Sequence, residues 1–308
     1  MLRYYSKAAH SSQLQQVASP QADHMWLYAS EVTSDELAQL ADRYQLDTGI
    51  LRDVRDRHEL PRTEYAHTSL YTFLRAPYQT SKGTLGTVPV LAILQGSNLL
   101  TLSSFKYLSP EEFLEDTVID ARSMKHVLLQ FANCVVLKYE SYLHQTATYI
   151  TNTEKRLEKH KVDNNDFIKF VDVEHDLNEY STNLMATKSA LARMRENKHD
   201  TFGDKDCEYI EDIILHIEQL LVSVESRMRQ ITSIRNAYTT ISNNTLNQRM
   251  KTLTLLTLLV ALPNVFYGMF GMNVRLPFAD QEWAYAAITG FTLLMVTVAF
   301  IVVRRLRF

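Results

Sequence analysis

Proline is missing from the 152 residues between Glu111 and Leu262, and glycine occurs there once, at Gly203. A stretch so poor in turn-forming residues reads as almost continuous helix, which excludes all-β and collagen-like classes. Cysteine is nearly absent as well: Cys134 and Cys207 stand alone, in no metal-ligand spacing. That excludes a disulfide framework or a zinc ribbon and predicts reduced thiols in a cytosolic environment. Neither sign of charge dominates, with 32 Lys and Arg against 35 Asp and Glu, so the basic footprint of a nucleic-acid binder is lacking. Glycine-rich phosphate loops, GxSxG turns and HExxH helices are missing too, so nothing reads as an enzyme. An aromatic content of 10% argues against disorder.

What is present is concentrated hydrophobicity. Thr252 to Val274 and Trp283 to Val303 are runs of 23 and 21 residues without a charge. Each is long enough to cross a ~30 Å hydrocarbon layer as a helix, and neither has the polar face of a soluble core helix. The first residues carry no signal-peptide core, so the region before the spans is expected in the cytoplasm. Arg249 and Lys251 precede the first span, and Arg304, Arg305 and Arg307 follow the second. The positive-inside rule then predicts a multi-pass protein of the cell membrane with both termini cytoplasmic.

The region before the spans divides in two. Met25 to Ala29, Ser69 to Ala76, Val88 to Leu94 and Asn98 to Ser103 read as strands of a mixed sheet. Thr33 and Ser34 cap a helix through Gln45, and Asp47 or Thr48 starts a short one toward Asp56. Ser109-Pro110 opens the helical region. Two long helices, about Ala121 to Lys161 and Asp166 to Lys198, form an antiparallel pair. Asp172, Glu174, His175, Asp176 and Glu179 share a face of the second, read as a solvated acidic surface.

After Gly203 a heptad stripe runs through Ile210, Ile214, Ile217, Leu221, Val224, Met228, Ile231, Arg235, Tyr238, Ser242 and Thr245. A second stripe, Ile213, Leu220, Ile234 and Ile241, lies beside it. No Gly or Pro intervenes between Gly203 and Pro263, so this helix is expected to run into the first span as a rod of roughly 90 Å. These readings give an α+β chain: a cytoplasmic α/β domain over 1–120, a long helix pair over 121–200, a stalk helix over 201–251, a first span over 252–274, an external loop over 275–282, a second span over 283–303 and a basic tail over 304–308.

The same four-three spacing continues upward through Asn243, Asn247, Met250, Thr254, Thr257, Ala261, Asn264 and Gly268. All but Met250 are small or polar. A polar stripe in hydrocarbon serves either close helix packing or a watery path, and the asparagines favour the path. Two spans cannot enclose a pore, so several copies in a ring are required. No Asp or Glu falls between Ser226 and Ala279, leaving neutral oxygens that suit a hard cation with its water shell retained, magnesium above all.

Gly271-Met272-Asn273 closes the first span, after a long helix free of proline, and Ser242 to Thr254 leads into it. This layout resembles the CorA family of magnesium transporters. The resemblance implies a homopentameric funnel that passes Mg2+, and also Co2+ or Ni2+, with Mg2+ as a possible regulator and no covalent cofactor. It implies that Asn273 rings the external mouth, shaped by Met272 and by Gly271, whose backbone takes conformations closed to other residues. Asn247 and Met250 would then form the cytoplasmic constriction, with Leu253 or Thr254 the next ring and Asn264 and Gly268 higher in the pore. Asp212 matches the stalk acid of a regulatory metal site, whose partner acid is replaced by Thr68, with Glu64 and His67 nearby. Alternatives are a zinc transporter of the same architecture and a non-conducting oligomeric scaffold.

Overall fold

The computed structural model describes residues 1–7, 14–19, 24–79, 85–116, 123–158, 164–272 and 281–305. They form two compact units, Met1–Ser233 and Ile234–Phe308.

The first unit is built on a sheet of β1 (Leu2–Lys7), β2 (Leu14–Val17), β3 (Met25–Ser30), β4 (Arg62–Ala66), β5 (Ser69–Gln79), β6 (Leu85–Gln95) and β7 (Asn98–Ser103), in the order β2-β1-β3-β7-β6-β5-β4. Only β3 and β7 pair in parallel. Side chains alternate across this sheet. Met25, Leu27, Tyr71, Phe73, Leu91, Ile93, Leu100 and Leu102 are buried on one face with Leu37, Leu40, Ile50 and Leu51 of α1 (Ser34–Tyr44) and α2 (Thr48–Asp53). The other face is covered by α3 (Pro110–Asp116), α4 (Met124–Glu158) and α5 (Asn164–Arg195). There Trp26 stacks edge-on against Phe113 and donates its indole N–H to Thr101 Oγ1 at 3.0 Å. Thr63 donates to the Ala190 carbonyl at 3.2 Å, and Tyr139 to the Arg75 carbonyl at 3.0 Å.

The predicted caps form. Thr33 Oγ1 accepts from the Glu36 N–H while Glu36 accepts from the Thr33 N–H, a reciprocal capping box. Asp47 Oδ1 accepts from the N–H groups of Gly49 and Ile50 at 2.8 and 3.0 Å. Strands β1, β2 and β4 were not foreseen. All three are short, and β1 and β4 carry Arg and Lys or Arg and Glu, which masks the hydrophobic alternation.

Helices α4 and α5 run antiparallel: Tyr139 meets Tyr180, Tyr149 meets Phe170 and Arg156 meets Asp166. Helix α6 (Asp204–Phe270) begins in the same unit and runs parallel to α4. Three polar pairs mark their register: His126 with Asp206 at 3.5 Å, Glu140 with His216 at 3.3 Å and Glu154 with Gln230 at 2.8 Å. The seam between the helices draws on both predicted stripes. Ile210, Ile213, Ile217, Leu220, Val224 and Ile231 are buried, whereas Leu221 and Met228 of the first stripe are half covered. Helix α5 also pairs with α6, through Lys188 with Glu218 at 2.7 Å and Arg195 with Glu211 at 3.3 Å, so two neighbours share the covered stripe, a division that sequence periodicity alone leaves undetermined.

The second unit holds the rest of α6 and helix α7 (Ala284–Arg305). Both contain windows long and apolar enough to span a bilayer, with mean hydropathies of 1.6 and 2.0.

Candidate functional site

Within the second unit α6 presents two unlike faces. Leu255, Leu259 and Pro263 are half covered, and Tyr267 Oη lies 3.3 Å from Thr292 Oγ1 of α7. On α7 the covered positions Ala284, Ile288, Thr292, Met295, Val296 and Ala299 follow a matching helical spacing. At 3.6 residues per turn, Asn247, Met250, Leu253, Thr254, Thr257, Ala261, Asn264 and Gly268 fall within a sector of about 120° on the opposite side of α6. Every one of them is exposed. The stripe read from the sequence is therefore part of the surface that the chain's own second apolar helix leaves open, together with Leu256, Leu258, Val260 and Val265.

The chemistry of this face is that of a hydrogen-bond acceptor. Thr254 and Thr257 donate their hydroxyl protons to the carbonyls of Met250 and Leu253, each at 2.9 Å. With the proton tied back along the helix, the remaining lone pairs point outward. The carboxamides of Asn247 and Asn264 make no hydrogen bond among the described residues. An amide left unpaired in hydrocarbon costs roughly 2–7 kcal/mol, so Asn264, deep in an apolar run, needs water or a partner. Gly268 leaves open space on this face: a Cβ built there meets nothing within 4 Å.

At the end of α6 the Gly271 N–H donates to the Tyr267 carbonyl at 3.0 Å, and the Met272 N–H to Met269 at 3.3 Å. The expectation that Gly271 supplies a backbone conformation closed to other residues is corrected. Among the described residues the only glycine with positive φ is Gly96. What Gly271 provides is space, because a Cβ would come within 3.3 Å of the Tyr267 carbonyl oxygen. Met272 is exposed. Asn273, and with it Arg275, Asp280 and Arg307, lies outside the described residues.

The arrangement of a mixed-sheet unit, a long helix leading to an apolar stretch, and a second apolar helix has counterparts. A profile of the CorA-like Mg2+ transporter protein family matches residues 21–305. The chain belongs to that family. Among curated relatives of this CorA-like chain, the cobalt/magnesium transport protein CorA of Methanocaldococcus jannaschii is 21% identical over 288 residues, covering 91% of this chain and 90% of the relative. The complete structure of the CorA magnesium transporter from the same organism superimposes with a TM-score of 0.86 at 18% identity, over 99% of this chain and 98% of that one. The full-length CmaX protein gives 0.75 at 17% identity, over 100% and 97%. These likenesses establish the fold of the CorA-like chain from end to end.

The regulatory pair is less complete. Asp212 is exposed on α6, next to Tyr209, whose phenol is pushed up by burial with the Asp212 carboxylate adding to the effect. Thr68 sits in the two-residue turn between β4 and β5, beside His67 at φ 53°. Glu64 is engaged by Arg62, which also pairs with Asp53 and Glu59. Among the described residues no cluster of three or more His, Cys, Asp or Glu is arranged to hold a metal ion.

Proposed function

We propose that this CorA-like chain assembles as a homopentamer in the cell membrane, with α6 of each copy innermost and both termini cytoplasmic, and conducts hydrated Mg2+, with Co2+ or Ni2+ as further cargo. The supporting observation is the polar stripe of α6 on the side away from α7. In a ring of copies that stripe becomes the wall of a central path, and Asn264 finds the water it needs.

A hydrated cation turns the hydrogens of its waters outward, so a wall that selects it should accept hydrogen bonds and carry no fixed charge that would strip or trap the ion. Thr254, Thr257 and Asn264 meet that requirement. Ala261 and Gly268 keep the path wide enough for the water shell, which Mg2+ gives up reluctantly. Met250 and Leu253 are the apolar members of the stripe; rings of such residues close a path by dewetting. Asn247 stands at its inner end. Gly271, Met272 and Asn273 form the opposite mouth, where the Asn273 carboxamides would receive the ion.

Metal flux into proteoliposomes tests this reading, comparing Mg2+, Co2+ and Zn2+ for the parent chain, Asn264→Ala and Asn273→Ala. Saturable Mg2+ flux that falls by about tenfold or more in each variant supports the pore. Absence of flux in the parent, or equal flux in parent and both variants, overturns it.

A further inference from the structure

In the first unit a cavity of about 640 Å³ opens beside the end of β5, bounded by the segment after β7 and by α4. Arg57, Lys106 and Lys138 line it against a single carboxylate, Glu112. Glu112 stands 4.0 Å from Lys138. Arg57 and Lys106 have no acidic partner among the described residues. The Arg57 guanidinium is held in place without being neutralised: Nη2 donates to Tyr78 Oη at 2.8 Å, and the group lies 5.5 Å from the Phe105 ring centroid. One of its five donors is thus used. Four aromatic rings also line it, those of Tyr78, Phe105, Tyr142 and the buried Tyr107, beside Pro77, Gln79, Val88 and Leu108.

Cations in excess beside flat aromatic walls select an anion that carries a planar ring. The volume exceeds what phosphate alone fills and lies in the range of sites for ligands of nucleotide size. We propose that this cavity binds a nucleoside di- or triphosphate, with the base against Phe105 and Tyr142 and the phosphates on Arg57, Lys106 and Lys138. Such a site holds phosphate with side-chain cations, so it needs no glycine-rich loop and leaves no motif in the sequence. The cavity belongs to the first unit and the α6 stripe to the second, and the proposal does not depend on the pore reading.

The test is calorimetric titration of the full chain in detergent with ATP, ADP, adenosine and inorganic tripolyphosphate, without divalent cation. The expected result is one saturable ATP site per chain, with adenosine and tripolyphosphate each weaker by about tenfold or more, since each lacks half of the ligand. Arg57→Ala and Lys106→Ala each weaken ATP by about tenfold. Both side chains are exposed, and an unchanged unfolding midpoint verifies that these variants fold. Glu112→Gln removes the one opposing charge and tightens ATP several-fold, a gain that damage to the fold does not produce. Lack of saturable ATP binding, tripolyphosphate binding as tight as ATP, or parental affinity in both Arg57→Ala and Lys106→Ala overturns the proposal.

Discussion

The tied-back threonines permit a sharp test of the pore wall. Thr257→Val keeps the shape of the side chain and removes its oxygen. The bond that is lost, to the Leu253 carbonyl at 2.9 Å, runs within one helix, and such back-bonds contribute nothing favourable to helix stability. Folding should therefore be unchanged. In the proposed ring, what disappears is an outward acceptor in every copy. If two or three of these oxygens contact the water shell at once, at about 1 kcal/mol each, the barrier rises by about 2–3 kcal/mol and flux falls about 30- to 150-fold. Thr257→Ser keeps the oxygen and should stay within a few-fold of the parent. Thr297→Val supplies the control, because Thr297 on α7 makes the same kind of bond, to the Leu293 carbonyl at 2.7 Å, and lies outside the stripe. The assay is initial Mg2+ uptake into proteoliposomes at matched protein density. Thr257→Val flux within threefold of the parent, or an equal loss in Thr297→Val, would refute the reasoning.

Gly271→Ala places a Cβ 3.3 Å from the Tyr267 carbonyl oxygen, so the end of α6 must shift by a few tenths of an ångström; flux should drop while the unfolding midpoint of the chain stays put. Arg75 is buried, and its guanidinium donates to Thr87 and to the carbonyls of Arg57 and Glu59, with Glu179 3.5 Å away. Arg75→Met strands those acceptors and should cost about 3–5 kcal/mol in denaturant unfolding, part of which Arg75→Met with Glu179→Leu restores. Tyr180 is buried with an unpartnered hydroxyl, so Tyr180→Phe should stabilise the chain by about 1 kcal/mol at neutral pH. Burial also raises the Tyr107, Tyr139 and Tyr180 phenols above the ordinary tyrosine value of 10.0. Their protonated forms are favoured by folding, so stability holds below about pH 10 and declines above it, less steeply in Tyr180→Phe; identical pH profiles for parent and variant would remove Tyr180 as a contributor.

The parts of the sheet that were legible are those whose burial leaves no room for polar residues. Strands β3, β5, β6 and β7 lie between helical layers, so Met25 to Ser30 and Leu99 to Ser103 are buried on both faces and read as apolar runs. Strands β2 and β4 close the two edges of the sheet, and β1 pairs with β2 next to one of them. An edge strand is blunted by charge, and in β4 the Arg62 and Glu64 that do so pair with each other. The device that protects the edge erases the signal that would reveal the strand. Helix caps escape this conflict, since Thr33, Glu36 and Asp47 act on backbone groups within three residues of themselves.

Helix α6 shows which part of a site a single sequence can expose. In the first unit α6 pairs with both α4 and α5 and buries Ile213, Ile217 and Leu220, and apolar residues remain outside, with Leu215 at 50% and Val222 at 64% exposure. In the second unit α7 lies on the side of Leu255 and Leu259, and what remains outside includes the polar stripe of Thr254, Thr257, Ala261 and Asn264 beside apolar Leu256, Leu258 and Val260. Each unit thus leaves one face of α6 to something other than its own chain, and the two faces differ in kind. An apolar face in water calls for another protein surface, for which copies of the chain suffice. A polar face in hydrocarbon calls for water or a polar partner, and the proposed pore supplies water. Two adjacent hydrophobic stripes could not be ranked from spacing, because water penalises exposure of either. The polar stripe could be recognised because hydrocarbon penalises an unpaired amide so heavily that Asn264 has no inexpensive orientation except toward water or a hydrogen-bonding partner.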